Sequence, residues 1–507
     1  MTGARIGEAL AGNRSSAGVS LPKVKTSAGI TSYPKLLFIL FLLTLPLLNP
    51  WVRGDGVGYY AYLRSALIDH DLNFENDYLA GNQSFVMSRV DARGHLLPEL
   101  YTKTGHVENH FAVGPAMLWA PVVLTAHLGV IALNHLGVAI KADGYSRPYV
   151  LGMALATTSY GFLSLLLAFR VTRKYYDEQW AFLATMGIWL ASSLPVYMYF
   201  NPSWSHALSA FSVALFLWYW DRTQMRRTLS QWFILGLIAG LMGDVYYPNI
   251  FLLIFPGLEI VFQARESHRD GSQPILPLGR WISYGAAFGA AFLIAMLPTF
   301  ITRQIIYGSP FATGYPGLST WHWASPSFWQ VLFSSDHGLW SWTPVLFLAV
   351  VGLLFLIRRN ALLGTASLIT FLAYYYFIAS YPDWDGLSSY GNRFFVSLTP
   401  IFILGFAALL DALSNAMART SRAVATASAI IALLTVWNVG FIFQWGTHMV
   451  PARGKISWPE MVHNQFVDVP LRMKHSLETY FLHRRDMMQH IEQEDIEQQK
   501  TFQDREN

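Results

Sequence analysis

Between residues 49 and 78 the chain reads NPWVRGDGVGYYAYLRSALIDHDLNFENDY, and Asp55 stands there between two glycines, just ahead of a stretch with helical period. Arg53 and Arg64 flank it, and Tyr101, Lys103, His106, Glu108 and His110 follow before the apolar run 111–123. Carboxylates, histidines and cations grouped around one helix suit a definite chemistry. A carboxylate accepts the proton of a hydroxyl as that hydroxyl attacks. Cations stabilise the negative charge growing on a departing phosphate. A reaction between a lipid-anchored phosphate donor and a hydroxyl acceptor needs this inventory, with an apolar groove for the lipid. A second reading stands beside it: an Asp ahead of a helix is well placed as the N-cap.

These residues must be positioned by a membrane protein. Of the 507 residues 53% are hydrophobic and only 13% charged, whereas soluble domains carry roughly 25% charged residues. Apolar segments recur at about 35–51, 113–140, 149–170, 180–200, 205–221, 231–247, 249–263, 281–301, 342–357, 361–380, 394–414 and 423–443. About 20 apolar residues in a helix cross the hydrocarbon core. The net charge of +4 is small, and no basic patch interleaved with aromatics points to nucleic acid. The chain has no Cys, which excludes disulfides, thiolate metal sites and Cys nucleophiles.

Basic clusters orient the segments. Positive residues favour the cytoplasmic side, which places the N-terminus, Arg170–Lys174, Arg222–Arg227, Arg265–Arg280, Arg358–Arg359 and Arg419–Arg422 there. Alternation then requires 113–140 to cross twice or not at all, as a tight hairpin or a helix along the membrane surface. The expected fold is all-α and polytopic, with 11 or 13 spans. Residues 1–33 read as a mobile cytoplasmic N-terminus, followed by a retained signal anchor helical from about 32 to 51. Residues 34–445 form the transmembrane domain, and 446–507 an outer-side tail with a polar helix whose charges read as a solvated face. The first outer loop, 52–112, holds the candidate site. Its helix carries Tyr60, Leu63 and Leu67 on one face and so reads as lying on the bilayer surface.

Other polar residues belong to outer loops or helix starts: His206, Asp336 and His337, Asp383 and Asp385, Tyr390 and Arg393. Arg393 suits an oxyanion, because its planar fork makes bidentate contacts. Its alternative is a salt bridge to Asp383 or Asp385. Tyr59 and Tyr60 could line a sugar site or anchor the interface. Asp55, Glu75 and Asp77 could share a hard cation, although no EF-hand or HExxH spacing appears and no cofactor is expected. Asn82-Gln83-Ser84 is a glycosylation sequon.

Four motifs in this order resemble the GT-C superfamily of membrane glycosyltransferases, in particular the branch of protein O-mannosyltransferases and lipid A aminoarabinose transferases. They are RGDGVGYYAYLRS with Asp55, NHFAVGPAMLWAP with His110, NPSWSHALSAF with His206 and SSYGNRFFVSLTP with Arg393. SSDHGLWSWTPVLFLAVVGLL, with His337, is similar to members of the same group, and the likeness covers most of 30–445. It implies a GT-C fold with amphipathic surface helices in the first outer loop. It also implies a polyprenyl-phosphate sugar donor and a lipid, glycan or protein acceptor. Asp55 would be the catalytic base. Arg53, Tyr59, Tyr60, Arg64, Lys103, His106, His110, His206, His337 and Arg393 would be candidate donor or substrate contacts. The setting implied is a bacterial inner membrane with the site facing the periplasm. Two alternatives remain open from sequence: a secondary transporter or lipid flippase, which would hold ionisable residues near the bilayer midplane, and a lipid-linked glycan ligase or polymerase using diphosphate donors.

Overall fold

The computed structural model describes residues 32–225, 227–269, 278–315, 317–451 and 456–506. The expected mobile N-terminus therefore lies outside the described residues apart from its last two positions. All twelve apolar segments fall on helices, and among the described residues the only β pairing is two isolated bridges, Val90 with Leu96 and Tyr101 with Val107.

The longer helices are numbered here along the chain. They are α1 (Tyr33–Thr44), α2 (Asp55–Arg64), α3 (Gly114–His135), α4 (Arg147–Thr172), α5 (Glu178–Ala191), α6 (His206–Thr223), α7 (Leu229–Val245) and α8 (Ile254–Arg269). After these come α9 (Leu278–Ala295), α10 (Leu297–Tyr307), α11 (Val345–Arg359), α12 (Ala361–Ser380), α13 (Thr399–Ala416), α14 (Ser421–Gly446), α15 (Val469–Leu482) and α16 (Arg484–Glu506). Six helices among the described residues are long and apolar enough to cross a membrane, and the pair α9–α10, bent by 47°, makes a seventh if taken as one span. The chain is an integral membrane protein.

At the centre lies α13, buried along most of its length. Close packing there depends on small residues, since apolar side chains gain little over lipid tails and backbones must approach for dispersion contacts. Gly352 of α11 faces Gly405 of α13 so closely that a Cβ on either would strike the other helix's backbone.

The basic clusters gather at one end of the bundle. Lys174 pairs with Asp221 at 3.0 Å and Arg227 with Glu259 at 2.7 Å. Arg359 donates to the Tyr175 carbonyl at 3.1 Å, and Arg419 pairs with Asp177 at 3.0 Å. Asp55, Trp204 and Arg393 meet at the opposite end.

The hairpin expected as one form of segment 113–140 is corrected: the segment is one continuous helix, α3. Trp119 of α3 bonds Thr157 of α4, and His127 further along α3 bonds Tyr149. The two helices thus run antiparallel, and because α4 ends among the basic groups, α3 runs away from that end. By length and composition α3 is one of the six candidate spans. Against the expected 11 or 13 spans, six helices among the described residues meet the length and composition needed to cross, or seven with the bent pair.

Two surface elements differ from the sequence pattern. Helix α2 is enclosed rather than laid on a surface: Gly56 to Leu63 are all buried, because loop 109–111 and α3 cover it. The tail is not a solvated appendage. Gln465 bonds Gln444 of α14 at 2.9 Å, Tyr480 donates to the Leu47 carbonyl at 2.6 Å, and Arg484 donates to the Pro46 carbonyl at 2.8 Å.

Helix α16 is held by a charged cluster. Arg53 pairs with Asp495 at 2.7 Å, and the His448 ring bridges Glu494 at 2.8 Å and Asp495 at 3.2 Å. Burial works against protonating His448, but hydrogen bonds and charge from Asp495 and Glu494 outweigh it and hold the ring above its ordinary value. A raised folded value gives stabilisation that is complete below about pH 6.5, the unfolded value, and is lost as pH rises through the folded one. Deuterium uptake over 484–500, corrected for intrinsic exchange, should therefore be slower at pH 6 than at pH 8. His448→Gln should remove the difference; equal uptake at both pH values in the native protein would show the clasp to be inert.

Candidate active site

Helix α2 starts at Asp55, and its N-cap is Gly54, with φ +54° and no side-chain capping bond. The N-cap expectation for Asp55 is thus corrected. As the first helical residue, Asp55 is not engaged in capping, and its Oδ2 accepts from Arg393 Nη1 at 2.7 Å. Glycine is required at 54: its φ is left-handed, and a Cβ would lie 3.3 Å from the Trp204 ring. Asn82 Oδ1 fixes the turn by accepting from Gly54 N at 3.0 Å.

Arg393 is held by its surroundings. Its guanidinium lies 4.5 Å from the centre of the Trp204 ring, and Trp204 Nε1 donates to the Arg53 carbonyl at 3.0 Å. Among the described residues Arg393 pairs with Asp55 and not with the two alternatives: Asp385 accepts from Leu387 N at 3.0 Å, and Asp383 is hydrogen-bonded to the Tyr381 hydroxyl. The Asp55 side chain is 31% exposed and that of Arg393 12%. Arg393 Nε is buried without a hydrogen-bond partner among the described residues. The pair therefore offers an accessible carboxylate beside a fixed cation with donor capacity to spare.

Several expected residues surround this pair. Tyr59, four positions after Asp55, shares its helix face; its hydroxyl accepts from Ser205 at 3.0 Å and its ring packs on Phe111. Burial, then the Asp55 charge, raises Tyr59 above the ordinary phenol range, so it stays protonated. His110 packs against Phe111 and Tyr315, and burial lowers it to about 4. His337 packs on Trp342, with burial and the Arg393 charge lowering it to about 3. Both rings are neutral at pH 7, so neither adds a cation. His206 sits among Tyr197, Trp204 and Tyr246, its Nδ1 unpartnered among the described residues. Arg53 reaches the site through Trp204 and Asp495.

Others are elsewhere. Arg64 emerges from α2 opposite Asp55, roughly 13 Å along the axis, and pairs with Asp69 and Asp77. Tyr60 donates to the Gly144 carbonyl at 2.7 Å. Lys103 and His106 belong to a turn tied to the Ile306 carbonyl through Thr104 at 2.7 Å. No contact among the described residues joins that turn to Asp55 or Arg393. The shared-cation idea also fails geometrically. Asp55 bonds Arg393 and Asp77 bonds Arg64 and Tyr145, while Glu75 faces Tyr101. The sequon asparagine accepts from Gly54 N and donates its Nδ2, the atom a glycan would take, to Ser84 and Glu492.

Sequence reasoning missed Trp204, Ser205 and Arg303, and read Asn82 only as a sequon residue. Trp204 lay within a quoted motif. Arg303 is a lone arginine in an apolar helix, a signal that marks a structural or functional role.

A cavity of about 780 Å³ opens beside the pair. Arg53 and Asp55 line one end, and it runs between α1, α14 and the tail helices past Leu47, Val439 and Leu477.

The fold and site thus define a helical membrane protein with an aspartate–arginine pair at one end of its bundle, the aspartate lining a largely apolar cavity. No protein-family model matches the chain, and no curated protein does. Among solved structures, it is similar to the Archaeoglobus fulgidus oligosaccharyltransferase in complex with zinc and sulfate: TM-score 0.48, 15% identity, 83% of this chain and 53% of that one. It is also similar to the archaeal oligosaccharyltransferase AglB from Archaeoglobus fulgidus with an inhibitory peptide and a dolichol-phosphate: TM-score 0.46, 13% identity, 86% of this chain and 54% of that one. The chain spans about half the length of these structures.

Proposed function

We propose that the chain is a GT-C glycosyltransferase that moves a sugar from a polyprenyl-phosphate carrier to an acceptor hydroxyl on the non-cytoplasmic side of a bacterial inner membrane. The observation that carries this reading is the Asp55–Arg393 pair, with Asp55 lining the cavity. The acceptor hydroxyl hydrogen-bonds to Asp55. Its oxygen forms the new bond to the anomeric carbon, its proton passes to Asp55, and the bond from that carbon to the phosphate oxygen breaks with its electron pair going to the phosphate. Arg393 faces that growing charge, and preorganised donors of this kind act strongly where water is excluded. Neutral His110 and the Tyr59 hydroxyl supply hydrogen bonds for the sugar without competing charge. Collection of the basic clusters at the far end supports the sidedness, by the positive-inside rule.

The test uses purified protein and a polyprenyl-phosphate sugar labelled in the sugar. Release of polyprenyl phosphate together with label on a new product is the expected result. An intact donor carried across proteoliposomes would establish a flippase instead.

A further inference from the structure

The cavity beside Asp55 has two chemically different parts. Its body is lined by side chains such as Leu190, Phe200, Val439, Ile442 and Phe443, with Leu477 from α15 opposite. A peptide or free glycan there would face hydrocarbon with amides or hydroxyls unpartnered; a hydrocarbon chain would not. The body also meets the bilayer-facing surface, because Val439 lines it and is 44% exposed, in line with exposed Leu433 and Val436 on α14. Met473, Met487 and Met488 complete the wall, and methionine adapts to varied apolar shapes.

The head of the cavity is set for a hydroxyl rather than a phosphate. Asp55, Asp495, Arg53 and Arg89 all line it; Arg53 is paired with Asp495, whose other oxygen meets His448, and Asp55 is paired with Arg393. Asp55, which takes the hydroxyl proton in the proposed reaction, lines the cavity, whereas Arg393, which faces the phosphate in that reaction, is not part of its lining.

We propose that this cavity is the acceptor site and that the acceptor is an amphiphilic lipid, its hydroxyl-bearing head at Asp55 and its hydrocarbon chain along the body. The acceptor role rests on the glycosyltransferase reading of Asp55; the binding of lipid does not. A diacylglycerol carrying a photoreactive diazirine in one chain is the probe, bound to the purified full-length protein in detergent, irradiated and mapped by mass spectrometry. Labels are expected within 435–448 and 473–491. Ile442→Trp, and separately Leu477→Trp on the facing wall, should each reduce them at least fivefold, with elution volume and melting temperature confirming the fold. Excess unlabelled polyprenyl phosphate should not compete. Labelling unchanged in both folded variants would overturn the proposal, and so would full competition by polyprenyl phosphate, which would make the cavity the donor's. The readout needs no turnover. A protein that labels as expected but transfers no sugar would therefore overturn only the transferase reading and with it the acceptor role.

Discussion

Asp55→Asn should fold normally and transfer sugar about a thousandfold more slowly, within the range of roughly 10² to 10⁴ that a positioned general base contributes. The substitution is nearly isosteric, and the Asn carbonyl still accepts from Arg393. What disappears is the proton acceptor. Loss of the ion pair is cushioned because the hydrogen bond from Arg393 survives and the Asp55 side chain is 31% exposed. The rate defect should therefore fall on kcat rather than KM, as expected for an interaction made in the transition state. Single-turnover transfer, followed beside thermal melting, separates the two effects. Undiminished turnover by a folded Asn variant would remove Asp55 from the mechanism.

The bundle was legible because each apolar segment is long enough to report its own burial, and basic residues mark helix ends. That is why all twelve segments fall on helices and the basic clusters share one end. The site was legible only in part. Asp55 and Arg393 are 338 positions apart and could be joined only through the resemblance of their motifs. Proximity in sequence misled elsewhere. A helix turns 100° per residue, so Tyr59 at four positions from Asp55 shares its face while Arg64 at nine points the opposite way. Lys103 and His106 are polar and follow α2 in the same loop, but hydrogen bonds to Ile306 hold their turn apart. The tail was misjudged for a different reason. Charges on a polar helix look solvated until their partners are known, and the partners Arg53, Asn82 and His448 lie far away in sequence. The cavity needs three distant segments at once, so no local pattern could reveal it.

Arg303 shows how much the site depends on a residue that never touches the reacting groups. It is 1% exposed and donates to the carbonyls of Asn109, His110 and Phe111 and to the Tyr247 hydroxyl, thereby tying α10 to the strand of chain that carries His110. Phe111 in turn packs on Tyr59, one helical turn from Asp55. Arg303→Met keeps the length and apolar stem but removes every donor. Buried acceptors left unsatisfied cost about 1–3 kcal/mol each, and relaxation of the loop toward water recovers part of that. A net destabilisation of about 3 kcal/mol is expected. Because the loop moves as it relaxes, Tyr59 and His110 lose their packing, and transfer should fall at least tenfold even at temperatures where the protein remains folded. Arg303→Lys retains one or two of the donors and should lie between the native protein and Met in both melting temperature and rate. If the Met variant melts with the native protein, the carbonyls must find other partners, and Arg303 is not what fixes loop 109–111 over α2.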